Sequence, residues 1–493
     1  MSSDEGSFAL GEGKDGLPER KSLKTLALRG VAWTLAGDGG NQIIRFVSNL
    51  VLARLLVPAQ FGVMGIVAIV QMGIGMFSDV GIQPAIVQHK RGDDQAFLDT
   101  AWSTQAVRGS FLWLAATAAA WPAARYANEP MLVQLLPVVA IGSVVEGFLS
   151  TKIFTCDRHL SLGRLVALNL GCAVSGLVVK ISWALASPTV WALVAGGFAQ
   201  TVPRVILSHL ILPGPINRFR WEREAVRELF QFGRWVFLST MLTFLALQLD
   251  KIVFVKKIPI ALFGLYSIGS TFARLPLEML QKVTGSVVFP ALSRVRDRGG
   301  NLQFAYQRVR APLLAGTGAL LGFLIMAGPV VTRILYPALY QDAGWIMQLV
   351  AGAMWFQAVQ STNQPVLLAF GQPKWLAMGN LLKIATLAVV LPLSYGRWGF
   401  PGALVGMAAV EIPKYLFEAS RVRALGLRGW GVELGMTAAV AACAAVAVVM
   451  QFRTPVDGVA VRMAVTAVCY GAIWIPVLLW ARRVATAPAG AVP

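Results

Sequence analysis

The stretch Arg29–Gly62, RGVAWTLAGDGGNQIIRFVSNLVLARLLVPAQFG, decides how the rest of the chain is read. From Val31 to Leu56 it is apolar enough to cross a bilayer as one helix, which takes about 20 such residues. Yet Asp38, Asn41, Gln42 and Arg45 sit in its middle, with Gly37, Gly39 and Gly40 around them. An Arg or Asp at mid-membrane costs roughly 2.5–3.5 kcal/mol on insertion scales, so these groups should not face lipid. Their spacing of three or four places them on one helical face. That face is expected to look onto other helices or a water-filled cavity. The structural alternative is that Asp38 and Arg45 only satisfy partners, each other included, inside a helix bundle.

The whole chain carries the same signature. Of 493 residues, 56% are hydrophobic and only 14% charged, and the mean hydropathy is +0.64. A soluble protein holds about 25% charged residues. The composition predicts an all-α polytopic membrane protein. The first apolar run is too long for a signal peptide, and no small-residue cleavage site follows it. Cys156, Cys172, Cys443 and Cys469 are scattered without a CxxC or a nearby histidine, which suggests packed thiols rather than disulfides or a metal site.

Residues 1–24 are polar and read as a cytoplasmic tail. Apolar runs follow near 31–56, 61–83, 99–121, 131–151, 162–186, 189–212, 230–253, 260–281, 311–335, 343–370, 375–395, 399–418, 430–452 and 461–481, which predicts fourteen spans. With the N-terminus inside, 26 Lys and Arg fall on the cytoplasmic side and 8 on the other. This bias predicts cytoplasmic termini and makes the net charge of +19 topological, so nucleic-acid binding is set aside.

The longest polar connection, 213–229, contains WEREAVREL and suggests a short amphipathic helix between two lobes, 25–212 and 230–420. Two further helices would occupy 421–485, and 486–493 a tail. The lobes resemble each other: LVPAQFGVMG at 56–65 aligns with IPIALFGLYS at 258–267, pairing Phe61-Gly62 with Phe263-Gly264. The same shift of 202 pairs Trp33 with Trp235. Six spans separate the copies, so both run in the same sense, as in two-lobed transporters built on a parallel repeat.

Ionisable residues recur inside the predicted spans: Arg108, Glu146, Lys180, Arg204, Asp250, Lys251, Arg274, Glu278, Lys383 and Glu411. At mid-depth, cations outnumber anions. Arg274 and Glu278 are four apart and equally suited to pair with each other. For Arg45, Arg108 and Lys383 a cavity lining is the favoured reading. A cationic, water-filled interior suits an anionic substrate such as a phosphate or diphosphate head group. The Trp residues of the tenth span, Trp345 and Trp355, are read as interface anchors. Asp93-Asp94 has no glycosyltransferase context, and there is no GxxxxGK[ST] to bind ATP.

Four segments resemble the polysaccharide-transporter family, the oligosaccharide flippases of the multidrug/oligosaccharidyl-lipid/polysaccharide exporter superfamily. They are FSDVGIQPAIVQ (77–88), LDKIVFVKKIPIALFGLYSIG (249–269), VVFPALSRVRDR (287–298) and LLAFGQPKWLAMGNLLKIA (367–385). The resemblance implies two six-helix lobes around a central cavity, working by alternating access. It also implies translocation of a polyprenyl-diphosphate-linked oligosaccharide across the bacterial inner membrane for exopolysaccharide, capsule or O-antigen assembly. It implies no catalytic residue and no cofactor, with an H+ or Na+ gradient as the candidate drive. A polysaccharide polymerase and export machinery are the implied protein partners. Asp250-Lys251 matches the acidic–basic pair that closes the seventh helix in this family. Arg45 and Arg274 fall on the first and eighth helices, where related lipid II flippases place cavity arginines. The candidate substrate-binding set is therefore Asp38, Asn41, Arg45, Arg108, Lys180, Asp250, Lys251, Arg274, Glu278 and Lys383. Two alternatives stay open: a cation-coupled drug exporter of the same superfamily, whose cavity should be acidic and apolar, and a membrane polysaccharide polymerase or ligase. Missing catalytic groups and short external loops argue against the latter.

Overall fold

Apolar runs without water to bond their backbone must close their own hydrogen bonds, and helices do so within one segment. The computed structural model describes residues 18–78, 82–159, 161–427, 430–452 and 459–486, and among them there is no strand. The first lobe holds α1 (Pro18–Leu55), α2 (Pro58–Phe77), α3 (Ile82–Gln88), α4 (Gln95–Ala127), α5 (Leu132–Gly147), α6 (Lys152–Arg158), α7 (Leu162–Ala186) and α8 (Trp191–Leu210). The second holds α9 (Arg223–Lys257), α10 (Ile260–Val283), α11 (Phe289–Asp297), α12 (Leu302–Leu335), α13 (Ala343–Ser361), α14 (Gln364–Ala369) and α15 (Pro373–Ala424). After them come α16 (Trp430–Phe452) and α17 (Val459–Thr486). Among the described residues, seven helices are long and apolar enough to cross a membrane, or eight if the bent pair α5–α6 is one span.

Helix ends follow local chemistry. Asp94 caps α4 by accepting from the Ala96 N–H at 3.0 Å, and Asn301 caps α12 by accepting from Phe304 at 3.0 Å. Gly399, at φ 63°, breaks α15 where the eleventh and twelfth predicted spans meet. Two boundaries differ from expectation. Helix α1 begins at Pro18, inside the stretch read as a tail. The WEREAVREL segment is not a separate helix, because α9 runs on unbroken from Arg223. The linker before it lies along α4, with the N–H groups of Arg218, Arg220 and Glu222 donating to Asp99, Ser103 and Thr100 at 3.1, 3.0 and 3.3 Å.

The repeat appears as a reciprocal contact. A Cβ on Gly62 would overlap the Ile260 carbonyl, and one on Gly264 would overlap the Pro58 carbonyl. The shift of 202 that carries Gly62 onto Gly264 also carries Pro58 onto Ile260. Helices α2 and α10 thus cross backbone to backbone, which only glycine permits. Beside this crossing Tyr340 donates to the Leu56 carbonyl at 2.7 Å and meets Phe61 edge-on. The second copy of the Trp33 match, Trp235, lies outside the residues whose side chains are described.

The last two helices pack on the second lobe. Trp474 of α17, 1% exposed, sits over Gly318 and Gly322 of α12. Trp355, read as an interface anchor, is instead a core residue, 1% exposed and donating to Thr437 at 3.1 Å. Its one polar atom has a partner on α16, so the ring loses nothing by burial.

Candidate functional site

Helix α1 meets two neighbours with two different faces. Gly37 and Gly40 let Val166 and Leu170 of α7 approach closely. Some 150° around the helix, Asp38, Gln42 and Phe46 reach α10. Lys282 Nζ lies 2.5 Å from Asp38 Oδ2, Gln42 donates to Glu278 at 3.2 Å, and Phe46 meets Phe272 edge-on at 5.7 Å. By the helical period, Asn41 and Arg45 fall between these faces. Ile43, 65% exposed, looks the opposite way.

The expected internal pairs are therefore not the ones formed. Asp38 pairs with Lys282, not with Arg45, and Glu278 accepts from Gln42 rather than Arg274. Arg45 is exposed and has no hydrogen-bond or ion-pair partner among the described residues. Lys180 of α7 lies within electrostatic reach of Arg45 and likewise has no carboxylate partner there. Its stem runs over Gly196 of α8, where any Cβ would collide with it. Two neighbouring cations on membrane helices are left without an anion.

Most of the other candidates have partners within the protein. Arg108 donates to the Ser78 and Gly75 carbonyls at 2.8 and 2.9 Å, closing the end of α2, and Arg204 donates to Asn169 at 3.0 Å. In the second lobe Tyr266 donates to Asp250 at 2.6 Å, with Arg274 3.8 Å from the same carboxylate. Lys251, beside Asp250 in sequence, is half-buried within electrostatic reach of Arg274, Asp250 and Glu278, with no ion-pair partner among the described residues. Lys383 is ion-paired with Glu411 across the two halves of α15. Lys414 donates to Asn380 at 2.8 Å and lies 3.9 Å from Glu418, which accepts from Gln360 at 2.5 Å. Sequence reading missed this last group, and also the buried pair Arg310–Glu433 that ties α12 to α16. Lysine at 414 and glutamate at 418 are spaced to pair, so part of that network carried a local signal.

A cavity of about 650 Å³ opens between α9, α10, α13, α14 and α15, at the end where α10 finishes and α15 begins. It tapers to a pocket of about 20 Å³ at Asp250, Arg274 and Glu411. At the opposite ends of α2 and α10, the Gly62–Gly264 crossing holds the lobes together. A cluster of charges on the first lobe's polar end is structural: Arg158 pairs with Asp93 at 3.0 Å and donates to the carbonyls of Ile86, Val87 and His89. The His159 hydrogen bond and the Arg158 charge hold the Asp93 carboxyl below the usual range.

Known proteins place this architecture. The chain is 24% identical over 390 residues to the succinoglycan biosynthesis transport protein ExoT of Rhizobium meliloti, covering 76% of this chain and 75% of that protein. It is 19% identical over 319 residues to the lipopolysaccharide biosynthesis protein WzxC of Escherichia coli, covering 64% of each. Its fold matches a lipid II flippase MurJ in an inward closed conformation, with TM-score 0.67, 12% identity, and 88% and 97% of the two chains covered. It also matches an inward-facing multidrug resistance MATE family transporter of the MOP superfamily, with TM-score 0.59, 13% identity, and 77% and 94% covered. The family model described as polysaccharide biosynthesis protein matches residues 51–344, more than half of the 493, and the chain belongs to that family.

Proposed function

We propose that the protein flips a polyprenyl-diphosphate-linked oligosaccharide across the bacterial inner membrane, and that Arg45 and Lys180 hold its diphosphate. The observation that carries this is a pair of cations on α1 and α7, within electrostatic reach of each other, with no carboxylate partner among the described residues. Buried or membrane-embedded charge without a partner is costly, so a site that keeps two such groups is built for an anion supplied from outside. Arginine offers a planar fork that fits two phosphate oxygens at once, and lysine adds a point charge. The names of the relatives, transport proteins of succinoglycan and lipopolysaccharide biosynthesis, support the same substrate class. A drug exporter would need carboxylates free to meet an organic cation. Here Asp38, Asp250, Glu411 and Glu418 already have basic or hydroxyl partners.

All fourteen apolar runs fall on helices, with α15 supplying two, and in this reading all fourteen cross the membrane with both termini cytoplasmic. The amide-lined cavity then opens to the cytoplasm, where lipid-linked sugars are assembled, and the Gly62–Gly264 crossing closes the outer face. Alternating access would separate that crossing, so spin labels at Val57 and Pro259 should move apart on opening; invariant distances would argue for a fixed scaffold. Alkaline phosphatase fused after Arg125 or Arg397 should be active, and fused after Arg296 inactive.

The function is tested by measuring export and membrane abundance together. Arg45→Ala should abolish polysaccharide export with the protein still accumulating, and Arg45→Lys should keep part of the activity. Full export by the Arg45→Ala/Lys180→Ala double variant would sink the anchor.

A further inference from the structure

We propose that the cavity in the second lobe is a separate subsite for the uncharged sugar part of the same substrate. The proposal rests on the flippase reading and adds which lobe recognises what.

Five carboxamides line the cavity: Gln281 of α10, Gln357 and Gln360 of α13, Gln364 of α14 and Asn380 of α15. Gln360 is held by Glu418 and Asn380 accepts from Lys414. Gln281, Gln357 and Gln364 have no side-chain hydrogen bond within the protein among the described residues. A carboxamide both donates and accepts, which is what a sugar hydroxyl requires of its partner.

Charge points the same way. The two lysines on the wall, Lys383 and Lys414, are matched by Glu411 and Glu418. Lysine and glutamate balance there, so the site gives an anion no net attraction. An apolar ligand would leave the amides unpaired, each a cost of roughly 1–3 kcal/mol if buried dry. The volume of about 650 Å³ lies inside the range of roughly 300–1,000 Å³ that holds small ligands. What fits is a neutral, polyhydroxylated group.

The geometry joins this subsite to the cationic one. Helix α10 presents Glu278 and Lys282 to α1 and Gln281 to the cavity. Those positions are three and one apart, so the two subsites adjoin neighbouring faces of a single helix. A diphosphate at Arg45, near the level of Phe272, and a sugar among the amides at Gln281 would lie along the C-terminal half of α10.

The test measures binding of two probes to the full-length protein in nanodiscs: undecaprenyl diphosphate alone, and the same lipid carrying a neutral disaccharide. The readout is the affinity ratio between them, which cancels differences in the folded fraction. Wild type should favour the sugar-bearing probe by roughly tenfold, the worth of one or two net hydrogen bonds. Gln281→Leu/Gln364→Leu, at the open mouth, should bring the ratio close to one, and Gln357→Leu deeper in should lower it as well. Arg45→Ala should weaken both probes and keep the ratio. A wild-type ratio of one, or a ratio unmoved in both glutamine variants, overturns the sugar subsite. If the glutamine variants abolish the ratio but Arg45→Ala changes neither affinity, the sugar subsite stands and the diphosphate anchor falls.

Discussion

The two lobes start from related sequences and differ in how much of their charge is paired. In the second lobe and the helices packed on it, most interior cations among the described residues have a carboxylate: Lys383 with Glu411, Arg310 with Glu433, Arg274 beside Asp250; Lys251 is the exception. In the first lobe, Arg45 and Lys180 lie within electrostatic reach of each other and have no carboxylate partner among the described residues. The same residue types in the same apolar medium therefore do different work. A cation whose carboxylate sits on a neighbouring helix fastens two helices; in the proposed function, the first-lobe cations take their anion from the substrate. At the Gly62–Gly264 crossing, by contrast, the lobes remain equivalent.

The largest effect expected from this contrast lies in the fasteners. Arg310→Met strands Glu433, which is 5% exposed, and a buried pair broken from one side costs about 3–5 kcal/mol. Membrane abundance should collapse. Arg310→Met/Glu433→Leu should recover much of it, because both charges leave together. If Arg45→Ala lowers abundance as far as Arg310→Met does, the two classes of cation are not distinct.

The shared crossing comes next. Gly62→Ala and Gly264→Ala each place a methyl against a backbone carbonyl, and overpacking of this kind costs about 1–3 kcal/mol. Thermal melts of the purified protein should fall by similar amounts in both variants. A drop in only one would show that the crossing is not the symmetric joint of the repeat.

The α1–α10 seam should be milder. Asp38 and Lys282 are 37% and 54% exposed, so their bridge contributes about 0.2–1 kcal/mol where water reaches it. Asp38→Asn should leave abundance near wild type and change export by a small factor. Complete loss of export would move Asp38 from the seam into the substrate site.

The smallest effect is a cap. Asp94→Ala removes the acceptor for the Ala96 N–H, worth about 1 kcal/mol, and should raise hydrogen exchange in the first turn of α4. Hydrogen bonds from Arg91 and then from Ala96 hold the Asp94 carboxyl below its usual range. A depressed carboxylate stabilises above its unfolded pKa and less as pH falls through the folded one. Acidification below the ordinary carboxylate range should therefore reproduce part of the Asp94→Ala change in wild type and none in the variant.

Sequence alone determined the class of this protein. Apolar runs of span length force helices because a backbone in lipid has no other partner, and this is a local property of each run. The polar face at 38, 41, 42 and 45 was equally legible, since it needs only the helical period. So was the Phe-Gly repeat, whose glycines are the ones the crossing requires. Partner choice was not legible. Asp38 could have met Arg45 on its own helix and instead meets Lys282; Arg310 is buried against Glu433 on another helix. Those pairs join helices far apart in the chain, and period says which side a residue faces without saying what stands there. The same holds for the amide-lined cavity: Gln281, Gln357 and Gln364 are unremarkable on their own helices and line one cavity only where α10, α13 and α14 converge. Helical rods follow from local apolar composition, whereas the difference between a fastened cation and a vacant one is set by packing between distant segments.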